Sequence, residues 1–132
     1  MKYYALDSNI ITYYLKKNTK IMDKIDNERQ KGNKLIIPPM VYYESIRGLI
    51  YLNATTKLKL FNKLCSNGVG IINKDILDIA VSIYITLQKK GITIGDNDIL
   101  IAAFCLKHNL VLITNNTKHF ENINGLITEN WV

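Results

Sequence analysis

Four acidic residues of this 132-residue chain stand where acids can do chemistry. Asp7 directly follows a short apolar run, Tyr3 to Leu6. Glu44 lies just beyond Pro38-Pro39, early in a helical stretch. Asp96 and Asp98 open another helical stretch, and Thr114, Asn115 and Asn116 follow the apolar run Leu110 to Ile113. Each acid has an ordinary reading. Asp7 could cap a helix, Glu44 could be a solvated glutamate, and Asp96 and Asp98 could be an N-cap and a first-turn acid. Together they would make an acidic edge on a protein whose net charge is +6. Crowded carboxylates repel one another unless a cation neutralises them. An all-oxygen donor set with no cysteine or histidine nearby suits Mg²⁺, with Mn²⁺ as a substitute.

Other constellations carry less. Asp23, Asp26 and Glu28 alternate with lysines and read as the solvated face of an amphipathic helix. Asp75 and Asp78 sit in a first helical turn, where negative charge suits the dipole. His108 and His119 have no metal-ligand spacing and read as surface histidines. There is no P-loop and no dinucleotide-binding glycine pattern, because Gly68-Val69-Gly70 precedes a strand rather than a helix. No Ser-His-Asp signature stands out. Trp131 and the tyrosines read mainly as core or interface, with Tyr42, Tyr43 and Tyr51 open to a place beside a substrate groove.

The acids need a scaffold, and hydrophobic periodicity supplies one. Strands are expected at Tyr3 to Leu6, Leu35 to Ile37, Val69 to Ile72, Leu110 to Ile113 and Leu126 to Thr128. Ser8 or Asn9 is expected to cap a helix running to about Lys17, and Thr19 one running to about Gln30. Further helices are expected from Met40 to Leu52, Thr55 to Leu64 and Asn97 to Lys107. Another, capped by Asn73 and stopped by Gly91, presents Ile76, Ile79, Ile83 and Leu87 on one face. Lys118 to Glu121 reads as a helical turn. Short all-apolar strands alternating with helices imply a parallel sheet covered on both faces. In such folds ligands bind beyond the carboxyl ends of the strands, where Asp7 and Thr114 would lie.

The length fits one domain over residues 1–132. No stretch approaches the roughly 20 apolar residues that span a bilayer, and the apolar start ends at Asp7 rather than forming a signal peptide. Cys65 and Cys105 form no pair motif, which points to a reducing cytoplasm and core packing. A pI near 9.3 fits attraction to a polyanion such as nucleic acid, as well as plain solubility.

Five segments, in order, resemble the PIN-domain VapC toxins. Asp7-Ser8-Asn9 resembles the opening L-D-[ST]-N. Glu44, within Pro38 to Gly48, resembles the second acidic motif. Ile94 to Ala103 is similar to I-G-x-x-D-x-x-I-A-A, Leu110 to Phe120 to L-V-T-x-[ND]-x-x-x-F, and Gly125 to Trp131 to G-L-x-x-E-[ND]-W. The resemblance spans the whole chain. It implies an α/β fold: a PIN-like three-layer sandwich, its short, mostly parallel central sheet flanked by helices. It implies a Mg²⁺-dependent endoribonuclease toxin that leaves a 5′-phosphate and a 3′-hydroxyl. Asp7, Glu44 and Asp98 match the catalytic, metal-binding acids. Asp96 falls where the family usually has a non-acid, and Asn116 where many members have a fourth aspartate. That amide resembles the branch that cleaves initiator tRNA. Ser8, Asn9, Thr114 and Asn115 are expected to support the site, and Arg47, Lys16 and Lys17 to hold flanking phosphates. The implied partners are RNA, foremost a tRNA, a VapB-like antitoxin and a second copy in a homodimer. Two rivals remain. A haloacid-dehalogenase-like phosphatase needs a second aspartate where this chain has Asn9. A non-catalytic PIN-like domain would bind RNA or a partner without cutting.

Overall fold

A computed structural model describes residues 1–132. Four strands form one sheet: β1 (Tyr3–Leu6), β2 (Lys34–Ile36), β3 (Val111–Ile113) and β4 (Thr128–Glu129). Their order is β2-β1-β3-β4 and every pairing is parallel. Parallel neighbours need crossovers, and six helices make them. These are α1 (Ser8–Leu15), α2 (Thr19–Gln30), α3 (Pro39–Tyr51), α4 (Thr55–Leu64), α5 (Lys74–Lys89) and α6 (Asp96–His108). Short 3₁₀ turns follow α4 at Cys65–Asn67 and β3 at Thr117–Phe120. The expected α/β sandwich is borne out, and the sheet is parallel throughout.

The central strands lack polar residues because both faces are covered. Ala5, Leu6, Leu112 and Ile113 are wholly buried, as are Ile10, Ile21, Ile25 and Phe61 from the helices. Helix α6 buries Ile99 and the run Ile101 to Cys105, too much of its circumference for a single-sided stripe. No helix is long and apolar enough to cross a membrane.

Several boundaries differ from expectation for local reasons. Val69 to Ile72 is not a strand; one parallel bridge joins Val69 to Ile37, and the chain then leaves the sheet. Asp7, not Ser8 or Asn9, is the cap of α1, with Oδ1 accepting from Ser8 N at 2.8 Å. Asn18, not Thr19, caps α2 by accepting from Ile21 N. Gly95 occupies the cap of α6, so Asp96 and Asp98 fall in its first turn. Asn73 caps α5 as expected, and Gly91 ends the turn after it at φ +70.

Glu28 corrects a broader expectation. It is buried at 3% exposure, not on a solvated face. Asn33 Nδ2 donates to it at 2.6 Å, and Lys24 and Lys31 pair with it. Burial pushes its carboxyl up, but the hydrogen bonds from Asn33 and Lys24 and the charges of Lys24 and Lys31 outweigh that and hold it below its ordinary value. Asn33 Oδ1 also accepts from Lys2 N at 2.8 Å, so this knot ties α2 to the start of β1.

Candidate active site

The order β2-β1-β3-β4 places the switch point of the sheet between β1 and β3. There successive connections leave in opposite directions and a crevice opens beyond the strand ends. Asp7 leaves β1 at this point and Thr114 leaves β3. The backbones are still joined: Asp7 N donates to Ile113 O at 2.9 Å, and Thr114 N to Glu129 O at 3.0 Å.

The Asp7 side chain is 5% exposed. Thr114 Oγ1 donates to its Oδ2 at 2.9 Å, and Asn9 Nδ2 approaches the same oxygen at 3.4 Å. With Ser8 N on Oδ1, three of about four acceptor positions of the carboxylate are taken. Burial raises the Asp7 carboxyl above its ordinary value; the bonds from Thr114, Ser8 and Asn9 oppose this, and the charge of Asp98 adds to it. The buried Cys105 thiol is also pushed up, by burial and then by the charge of Asp7. Cys65 is raised by burial to about 11. Both thiols are free, Cys105 buried and Cys65 half-buried.

Thr114 is fully buried, and its hydroxyl is saturated. It donates to Asp7 and accepts from Asn116 N at 3.0 Å and Asn9 Nδ2 at 3.3 Å. Asn9 Oδ1 accepts from Asn115 N at 3.0 Å, and Asn130 Nδ2 donates to Asn115 Oδ1 at 3.2 Å. Thus Ser8, Asn9, Thr114 and Asn115 all belong to one polar network around Asp7.

Asp98 joins this place from the first turn of α6, near enough for its charge to act on Asp7. Its Oδ2 lies 2.7 Å from His119 Nε2. His119 is therefore not a free surface histidine; its side chain is 32% exposed and Asp98 33%. Only its place five residues after Thr114, in the segment closing over the strand end, could have marked it in the sequence.

Glu44 is half-buried on α3 and makes no ion pair. No three carboxylate, imidazole or thiol groups gather closely enough to hold an ion between them. Asp96 is exposed and lines an apolar groove of about 410 Å³ beside Leu77, Val81 and Tyr84. The Asn116 side chain is exposed, and its backbone N–H serves Thr114. Arg47 lies over the Tyr43 ring at 5.0 Å, and Lys16 and Lys17 are exposed at the end of α1.

The donor chemistry of the Asp7–Asp98 pair fits a hard divalent cation. Both acids offer oxygen, an acceptor position stays open on Asp7, and no lysine or arginine pairs with either.

Comparison with known proteins agrees with the fold. The PIN domain family matches residues 4–126. The chain is 32% identical over 130 residues to ribonuclease VapC1 of Haemophilus influenzae strain R2866, covering 97% of each. A 45-residue stretch, 34% of each chain, is 40% identical to a tRNA(fMet)-specific endonuclease VapC of Shigella flexneri. Among solved structures, VapBC2 of Rickettsia felis, bound to a DNA fragment from their promoter, matches with a TM-score of 0.86 and 29% identity, covering 98% of this chain and 99% of that one. The chain belongs to the PIN-domain family, among the VapC ribonuclease toxins.

Proposed function

We propose that this protein is a divalent-metal-dependent endoribonuclease, with Asp7, Glu44 and Asp98 as its catalytic acids. Asp7 is the observation that carries the reading: a buried carboxylate near a second acid, with no lysine or arginine paired to either and only the His119 imidazole against Asp98. Such an arrangement is costly to fold and is accounted for by a cation in use. A bound Mg²⁺ or Mn²⁺ supplies charge neutralisation at the phosphoryl oxygen and a more acidic water.

Asp7 and Asp98 would hold the ion. Glu44 would contact it directly or through water. Thr114, Asn9 and the Ser8 amide keep the Asp7 carboxylate in one orientation, and Asn115 holds Asn9 in turn. Water adds to phosphorus as the bond to the 3′-oxygen breaks, and the leaving oxygen takes a proton. The products are then a 5′-phosphate and a 3′-hydroxyl. Asp96 and Asn116 remain secondary candidates for metal contact, and Arg47, Lys16 and Lys17 for phosphate contact. Initiator tRNA is the first substrate to test, on the likeness to the Shigella enzyme and the amide at Asn116. A VapB-like antitoxin and a homodimer complete the proposed partners, on the likeness to VapBC complexes.

A PIN-like domain that binds RNA without cutting has one observation on its side, the lack of a three-ligand cluster. Incubation of purified protein with tRNA separates the two. The nuclease reading expects cleavage with Mg²⁺ or Mn²⁺, none with EDTA, and none from Asp98→Asn. RNA retained without cleavage under every metal condition would favour the binding reading.

A further inference from the structure

Two side chains from one short segment grip the two acids of the site. Thr114, at its start, donates to Asp7 Oδ2. His119, in the 3₁₀ turn that follows, lies 2.7 Å from Asp98 Oδ2. The turn itself is anchored. Phe120 is buried at 2% exposure, with its ring edge-on to the imidazole at 5.4 Å between centroids. His119 N donates to Asn116 O, and Asn116 N to Thr114 Oγ1. A carboxylate only accepts hydrogen bonds, so the hydrogen in the His119–Asp98 contact belongs to Nε2.

We propose that His119 is a positioning residue of the acidic site: its Nε2–H holds Asp98 Oδ2 and leaves Oδ1 as the donor atom for the cation shared with Asp7. The inference rests on the metal-dependent reading above and adds a part that reading does not need. The segment from Thr114 to Phe120 then sets the orientation of both carboxylates at once, although they come from different elements. Partners that orient metal-ligating groups in this way commonly change metal affinity about 10–100-fold when removed.

The test measures Mn²⁺ binding to the full, RNA-free protein, reading free Mn²⁺ by electron paramagnetic resonance. His119→Ala should weaken binding roughly tenfold or more, and His119→Gln, which keeps a donor at similar reach, should recover most of it. In an Asp98→Asn background, His119→Ala should have no further effect. The inference is overturned if His119→Ala binds Mn²⁺ as tightly as the wild type while Asp98→Asn does not, or if His119→Gln is as weak as His119→Ala. A wild type that binds Mn²⁺ no better than Asp98→Asn overturns the metal reading and this inference with it.

Discussion

Asp7 does two jobs with one carboxylate. It caps α1 through Ser8 N and stands as a buried acid at the switch point of the sheet. The helix-cap reading and the catalytic reading therefore describe the same side chain. Asp7→Asn keeps the shape and an acceptor for Ser8 N, but removes the charge. Cleavage of RNA by this variant should fall at least about 100-fold, with an unchanged circular dichroism spectrum. Wild-type turnover by the variant would refute the assignment. Thr114→Val tests the network instead. It removes the donor to Asp7 Oδ2 and strands the Asn116 N–H, and should cost about 1–3 kcal/mol in urea unfolding.

Where elements meet, two contacts that no single helix or strand needs for itself set the geometry. Gly70 passes so close to α6 that an added Cβ would collide with the Phe104 ring and lie 3.1 Å from Pro39 Cδ. Gly70→Ala should destabilise the fold by about 1–3 kcal/mol, read from the urea midpoint. Adding Phe104→Leu to Gly70→Ala should recover part of that loss. The Glu28–Asn33 knot joins α2 to the edge of the sheet. The native acidity of Glu28 is strengthened, so its contribution is present above the usual carboxylate range and is lost as pH falls through its lowered native value. Between roughly pH 5 and 3, wild-type stability should fall more steeply than that of Glu28→Gln. Parallel acid-unfolding curves for the two would remove the knot from the account.

The whole chain sets an acidic crevice within a basic protein, net charge +6. On the proposed reading, attraction of RNA would belong to the folded surface as a whole, and the crevice would select where the phosphodiester meets the acids. Binding of tRNA by the inactive Asp7→Asn variant should weaken roughly tenfold or more between 50 and 200 mM salt, as counterion release requires for several phosphate contacts. Salt-independent affinity in a filter-binding assay would argue against a phosphate-dominated interface.

Much of this was legible in the sequence because period and punctuation are local. The apolar runs at Tyr3 to Leu6 and Leu110 to Ile113, the Asn73 cap and the Gly91 stop each declare their element within a few residues. So does the placement of Asp7 at a strand end, and the spaced motifs from Asp7 to Trp131 carried the family. Val69 to Ile72 misled because an apolar run does not say whether a neighbouring strand is free to pair, and here only one bridge forms. Tertiary structure alone decided that Glu28 is buried, that Thr114 joins Asn9 in bonding to the Asp7 carboxylate, and that His119 lies against Asp98. Those facts depend on contacts between residues distant in the chain, and no local pattern encodes which distant partner the fold brings near.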